Sequence, residues 1–398
     1  MNKPTAPSPT PARSAFSGRR GAIILYAVVA FFYWASLYVY VPTLPTYAKT
    51  VTDNLALVGV ILSMFGLWQA IIRLPLGIAA DWLGWRKPFI IFGLGLSALG
   101  AWLMGSAHEV NGLIVGRAIT GLAAGTWVPL VVVFSSLFPP QEAIRATTLL
   151  TLVAAVGRVA ATAVTGSLNT LGGYGLAFTA AIGIAAVALL GTLPVPEARR
   201  PSQPPSVGGL FRLATRRDVI LPALLNAVGQ YVNQGIAFGF VTILAKELGA
   251  SDPTLSMLST LHMIVYTVGN LAAAALLRRA NARPLVYASF ISLAAGATCA
   301  ALAPSAPVLL ICQGLIGLGV GAGYSLLMGM SIKHVAGPER TTAMGLHQAV
   351  YAIGMFVGPW LSGIFANALG LRPMLGITAG MCLVLGVLGT KMTAKPRG

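Results

Sequence analysis

Apolar residues run along most of this chain in blocks broken by short clusters of charge, proline or glycine, and each block is near the twenty or so residues a helix needs to cross a bilayer. Twelve such blocks can be marked, near 21–46, 56–80, 88–107, 110–138, 143–169 and 174–193, then near 219–246, 255–278, 284–303, 307–333, 340–367 and 371–392. The pattern predicts an all-α membrane protein of twelve transmembrane helices in two six-helix bundles, residues 19–193 and 219–392. Residues 1–18, rich in Pro, Ser and Thr, are expected to form a disordered cytoplasmic tail. Residues 194–218, rich in Pro and Arg, are expected to be a cytoplasmic linker, and 393–398 a second cytoplasmic tail. Arg19 and Arg20 ahead of the first block imitate a secretory signal, but the block runs past Tyr40 with no small-residue cleavage site after it. It is therefore read as a span.

Composition agrees with lipid as the solvent. The 398 residues are 56% hydrophobic and only 9% charged, with a mean hydropathy of +0.81, whereas soluble domains carry about 25% charged residues. A net charge of +17 would suit a nucleic-acid partner if the basic groups shared one face; they are instead strung between the apolar blocks, so no nucleic acid is expected. Of the 26 lysines and arginines, Lys49, Lys246 and Arg372 fall on the side opposite the N-terminus, Arg73, Arg117 and Arg158 fall inside spans, and all the others fall on the N-terminal side. Positive charge concentrates on the cytoplasmic side of membrane proteins, which puts both termini in the cytoplasm of a multi-pass protein of the cell inner membrane. Cys299, Cys312 and Cys382 lie within blocks and read as small core residues, with no metal-ligand spacing. There is no nucleotide-binding glycine loop and no nucleophile–base set outside the spans, so neither an enzyme nor a cofactor or metal is expected.

The two sets of blocks echo each other. Leu113 to Gly125 aligns with Leu309 to Gly321, pairing Gly121 with Gly317 and Gly125 with Gly321; farther on, Gly157 and Gly166 match Gly354 and Gly363. Between spans 2 and 3 the stretch Gly77-Ile-Ala-Ala-Asp81-Trp-Leu-Gly84-Trp-Arg86-Lys87 fits the pattern Gly-x-x-x-Asp-x-x-Gly-x-Arg-[Lys/Arg] at every key position. That loop resembles the signature of the major facilitator superfamily. The resemblance implies two pseudo-symmetric bundles, with Gly77 allowing close approach of a helix from the other half. Asp81 would hold one conformation closed by meeting a helix N-terminus or Arg86, with Gly84 and Lys87 completing the gating motif. Val41-Pro42-Thr-Leu-Pro45 and Gly116-Arg117 through Gly125 resemble motifs of its drug:proton antiporter branch, in which the arginine is associated with proton coupling. Span 5 keeps Gly157 and Gly166 of that branch's antiporter motif but has Ala161-Thr162 at the centre; the fuller copy, Gly354, Gly358-Pro359 and Gly363, lies in span 11.

Polar groups inside a membrane are costly and usually face a cavity or one another. Asn226, Gln230, Asn233 and Gln234 share a face of span 7, His262, Tyr266 and Asn270 a face of span 8, and His347 and Tyr351, flanked by Gln348, a face of span 11. They are expected to line a translocation pathway, with Trp34 and Tyr38 of span 1 stacking on the substrate. All 9 acidic residues fall at span ends or in loops. Without a mid-span carboxylate, His262 and His347 are the candidate proton carriers. Arg117 and Arg158 are left with no acidic partner at their depth, so the pathway should favour a neutral or anionic substrate. Arg73 is expected to snorkel toward the cytoplasm.

The expected function is export of a small amphipathic molecule, such as a drug or siderophore-like metabolite, by a monomer using a proton or other coupling ion and alternating access. The alternative is an uptake symporter or facilitator for a small organic anion.

Overall fold

The computed structural model describes residues 13–194, 207–277, 281–336 and 339–393. The expectations for residues 1–12, 195–206 and 394–398 lie outside the described residues. Within them the chain is helical and, as expected, builds twelve spans. α1 is Arg13–Tyr38, prolonged by a tight turn at Val41–Thr43 and the helix Leu44–Val51; α2 is Leu55–Leu83 and α3 Lys87–Gly105. α4 comes in two pieces, Val110–Gly125 and Trp127–Ser136. α5 and α6 form one continuous helical run, Ala143–Thr192, divided by non-helical backbone at Gly172 and Gly173. α7 consists of Arg217–Tyr231, a wide π-helical stretch Val232–Phe240, and Val241–Glu247. α8 is Asp252–Leu276, α9 Ala282–Leu302, α10 Val308–Ile332, α11 Arg340–Leu369 and α12 Leu371–Met392. Among the described residues, 10 helical stretches are long and apolar enough to cross a membrane. The count reaches twelve because the α5–α6 run holds two spans and because the π-helical stretch divides α7 into short pieces.

Two stretches differ from the sequence reading. α1 is already helical from Arg13, inside the expected tail, and a short helix, Val207–Thr215, lies inside the expected linker. The second has a physical reason: Leu213 is buried in a small cluster with Val219, Val335 and Ala343, while Phe211 stays exposed. Amphipathicity thus docks this segment on the ends of α7, α10 and α11. Arg212 also pairs with Glu339 there.

The relation between the halves can be followed glycine by glycine. Gly157 of α5 packs against the backbone of Phe31 in α1, and Gly354 of α11 against that of Ala227 in α7. One step on, Gly166 of α5 meets Pro253 of α8, and Gly363 of α11 meets Leu55 and Gly59 of α2. So the first glycine of each pair fits its helix onto the opening helix of its own half, and the second fits it across to the other half. Close backbone approach of this kind is how helices gain contact in lipid, where the solvent is as apolar as the side chains. The symmetry extends to the reversals: Gly173 (φ 67°, ψ −175°) turns α5 into α6, and Gly370 (φ 91°, ψ 165°) turns α11 into α12. Both adopt a backbone region open essentially to glycine alone.

α1 enters from the face that carries both chain ends; the opposite face is called distal here. Hydrogen bonds between the halves gather on the distal side. Asn367 Oδ1 of α11 accepts from the Leu55 amide of α2 (3.2 Å), Ser256 Oγ of α8 accepts from the Gly166 amide of α5 (2.6 Å), and Asn169 Nδ2 donates to Asp252 (3.0 Å). Lys49 and Glu247 form an exposed ion pair at 3.4 Å. Toward the terminal face the fit loosens: a methyl placed on Gly77 would meet nothing within 4 Å. The close approach expected there is absent in this conformation, which is sealed distally. Asp81 does meet Arg86, at 2.7 Å.

Candidate functional site

Where the distal seal ends, the halves enclose an aromatic floor. α4 breaks between Gly125 and Trp127, and the Ala123 carbonyl is taken by the Tyr33 hydroxyl (2.5 Å) and by Thr126 Oγ1 (2.8 Å). The break sets the Trp127 ring 5.4 Å from that of Trp34, edge to face. Trp34 in turn lies 5.8 Å from Tyr38, and Tyr38 lies 6.0 Å from Phe238 of the other half. Trp34 and Tyr38, named from sequence, are therefore brought together; Tyr33, Trp127 and Phe238 were not foreseen. Their only signal was an aromatic side chain in an apolar run.

The arginines find rings instead of carboxylates. Arg158 Cζ of α5 sits 4.8 Å over the Trp34 ring and 5.8 Å from that of Tyr38. Arg117 Cζ of α4 lies 4.3 Å over Phe65, with only 4% of the residue exposed. Cation–ring contacts are worth about 2 kcal/mol or more when desolvated, which offsets part of the cost of burying the charge. The two differ in position: Arg158 is half-buried at the interface, whereas Arg117 is enclosed in the first bundle.

Arg73 requires a correction. It does not snorkel but is buried, 6% exposed, and donates to the Tyr351 hydroxyl of α11 at 3.0 Å. The partner comes from the other half, and α2 continues to Leu83, which holds Arg73 away from the helix end.

The amide stripe of α7 is engaged mainly within its own half. Asn226 Nδ2 lies 2.9 Å from His347 Nε2, while His347 Nδ1 lies 2.7 Å from Ser331 Oγ, which donates to the Val219 carbonyl. The Ser331 proton is thus committed, so Nδ1–H donates to Ser331 and Nε2 accepts from Asn226. His347 is matched as a neutral ring. His262 is surrounded differently. Its Nε2 lies 2.9 Å from Asn233 Oδ1, and its Nδ1 lies 3.3 Å from the Gln313 carbonyl oxygen. Asn233 Nδ2 donates to Gln230 at 3.0 Å, which turns Oδ1 toward the ring. Both ring nitrogens therefore face oxygen, the arrangement an imidazolium uses. The residue is 0% exposed, so those two oxygens must solvate any charge placed on it. Gln313, which also donates to the Ala237 carbonyl at 2.8 Å, was missed from sequence, although the repeat aligns it with Arg117. Gln234, Tyr266 and Gln348 remain half-buried, as does Tyr324, and Asn270 accepts from Ser325 at 2.8 Å.

The sequence profile of the Major Facilitator Superfamily matches residues 26–228 and 223–397. The chloramphenicol efflux pump Rv0191 of Mycobacterium tuberculosis (strain ATCC 25618 / H37Rv) is 25% identical over 400 aligned residues, covering 96% of this chain and 94% of the pump. The inner membrane transport protein YajR of Escherichia coli (strain K12) is 34% identical over 89 residues, 22% of this chain and 19% of YajR. Among solved structures, the nucleoside transporter NupG superimposes with a TM-score of 0.77 at 17% identity, over 94% of this chain and 99% of NupG. With both halves matched in sequence and the whole architecture matched in space, the chain belongs to the major facilitator superfamily, a family of membrane transporters.

Proposed function

We propose that this chain is a secondary active transporter of the cytoplasmic (inner) membrane, with both termini in the cytoplasm, that exports a small amphipathic molecule by alternating access. The observation that carries this reading is the asymmetry of the seal: glycine contacts and hydrogen bonds close the distal side, while Gly77 faces open space toward the terminal face. A solute entering from the cytoplasm would reach the floor of Trp34, Tyr38 and Arg158, walled by Tyr266, Gln348 and Tyr351. Rocking of the halves would then bring α11 onto Gly77, with the Asp81–Arg86 pair steadying the loop beside it. Export is supported by the printed function of the efflux pump that aligns over nearly the full chain.

For coupling, the oxygens around His262 favour it over His347 as the proton carrier. His262→Gln is expected to abolish pH-gradient-driven uphill flux in proteoliposomes while leaving downhill counterflow within about threefold. His347→Gln should keep the coupling and lower stability by about 1–3 kcal/mol through unpaired neighbours. Coupled flux that survives His262→Gln overturns the assignment. The export reading itself is tested by imposing a pH gradient across proteoliposomes loaded with chloramphenicol. Substrate movement against its own gradient, accompanied by a change in luminal pH, is expected; equilibration alone would favour the second reading, facilitated passage of an organic anion. That second reading draws on one observation, the absence of any ion-pair partner for Arg158 among the described residues.

A further inference from the structure

We infer that Arg158, Trp34 and Trp127 form the binding site for a planar aromatic acid. The acid group sits on the edge of the guanidinium and the ring against the indoles. This assignment rests on the transporter reading and names its substrate by chemical class.

Three observations carry it. The guanidinium of Arg158 lies over the Trp34 ring, so one of its flat faces is covered, and its N–H edge has neither a hydrogen bond nor an ion pair among the described residues. A guanidinium held in this way keeps a rigid fork of donors, which matches a carboxylate bidentately. Second, Trp34, only 7% exposed, has its indole Nε1 buried without a hydrogen-bond partner. That is a second unmet donor on the same floor. Third, the walls are rings: Trp127 is half-buried 5.4 Å from Trp34, and Tyr38 and Phe238 continue the aromatic surface across the interface.

Donors and positive charge are thus concentrated here, while all 9 acidic residues lie at span ends or in loops. Such a site penalises an organic cation, which would meet Arg158 with no carboxylate to offset the repulsion. An aliphatic acid would satisfy the guanidinium and leave the ring faces poorly matched. An aromatic acid uses both.

The test is equilibrium binding to the purified full chain in lipid nanodiscs near neutral pH, followed by calorimetry and tryptophan fluorescence. The probes are naphthalene-2-carboxylate, naphthalene-2-carboxamide, 2-naphthylmethylammonium and cyclohexanecarboxylate. The aromatic carboxylate should bind at least about tenfold more tightly than the ammonium or the cyclohexane acid. Arg158→Gln should weaken the carboxylate by about tenfold while leaving the carboxamide within about threefold, and Arg158→Lys should recover part of the loss. Trp127→Leu should weaken both naphthyl probes alike. Preference for the ammonium overturns the proposal, as does an Arg158→Gln loss shared equally by carboxylate and carboxamide, the mark of a purely architectural arginine. Because binding is read without a gradient, the two readings fail separately. The acid preference without gradient-driven flux upholds the site and removes export, and driven flux without the preference overturns the site and leaves export standing.

Discussion

Replacing Gly66 by leucine should stop transport without unfolding the protein. Gly66 lies on α2 against the backbone of Met355 and Phe356 in α11, and a methyl there would come within 2.6 Å of the Phe356 nitrogen. At Gly59, farther toward the distal face, a methyl would lie 2.9 Å from the Cα of Gly363. In neither place is the obstacle the tip of a flexible side chain that can turn aside, so the helices must part. Overpacking costs about 1–3 kcal/mol, and in the proposed alternating-access cycle that cost is expected to fall on the distally sealed conformation. Its population relative to the alternative should fall by about 5- to 150-fold. Leu62, buried at 7% exposure beside Gly239 of the other half, provides the readout. A Leu62→Cys reporter should become reactive to an impermeant maleimide from the distal side in the Gly66→Leu background, and unchanged labelling together with unchanged transport would refute the role assigned to this contact.

Tyr351→Phe is the second large effect. The change removes one oxygen and leaves a buried guanidinium, already without a partner at Nε, short of the acceptor 3.0 Å from Nη1. Hydrogen bonds to charged groups contribute about 1.5–3 kcal/mol, and leaving a buried donor unmet costs on that scale. Because Arg73 and Tyr351 belong to different halves, the loss is expected to appear as a shift in conformation. The same distal labelling assay should report it as a roughly 10- to 100-fold change in the balance of states. Arg73→Gln, which still offers an amide donor to Tyr351, should shift the balance less. If Tyr351→Phe lowers thermal stability and leaves labelling unaltered, the bond is merely structural.

The architecture was legible because its signals are local. A block of about twenty apolar residues declares a span without reference to any other part of the chain, and the repeated glycines announced the pairing that Gly157 with Phe31 and Gly354 with Ala227 display. What escaped depended on helices distant in sequence. Arg73 read as a snorkelling residue because nothing near it shows that α11 will present Tyr351 to it. The stripe Asn226, Gln230 and Asn233 was recognised as one face, but periodicity says nothing about whether that face looks onto a cleft or onto a neighbouring helix. In the structure Asn226 bonds His347 and Asn233 bonds His262, partners that the spacing alone did not name. The π-helical turns of α7 were also hidden, since the local residues are as compatible with ordinary helical turns. Trp127 acquired its place only through the break in α4.

The matched reversals at Gly173 and Gly370 bear on how force moves through the molecule. Each joins two long helices with almost no connecting chain, which leaves little length in which a tilt can be lost. If α5 swings in the proposed cycle, α6 is expected to swing with it, and α11 to carry α12 in the same way. The helices that touch across the interface are thus the inner arms of two levers whose outer arms lie in the periphery. In the proposed alternating-access cycle, a bilayer that squeezes or thins around those outer arms would act on the balance of states, and flux is expected to vary with membrane thickness in proteoliposomes of graded acyl-chain length.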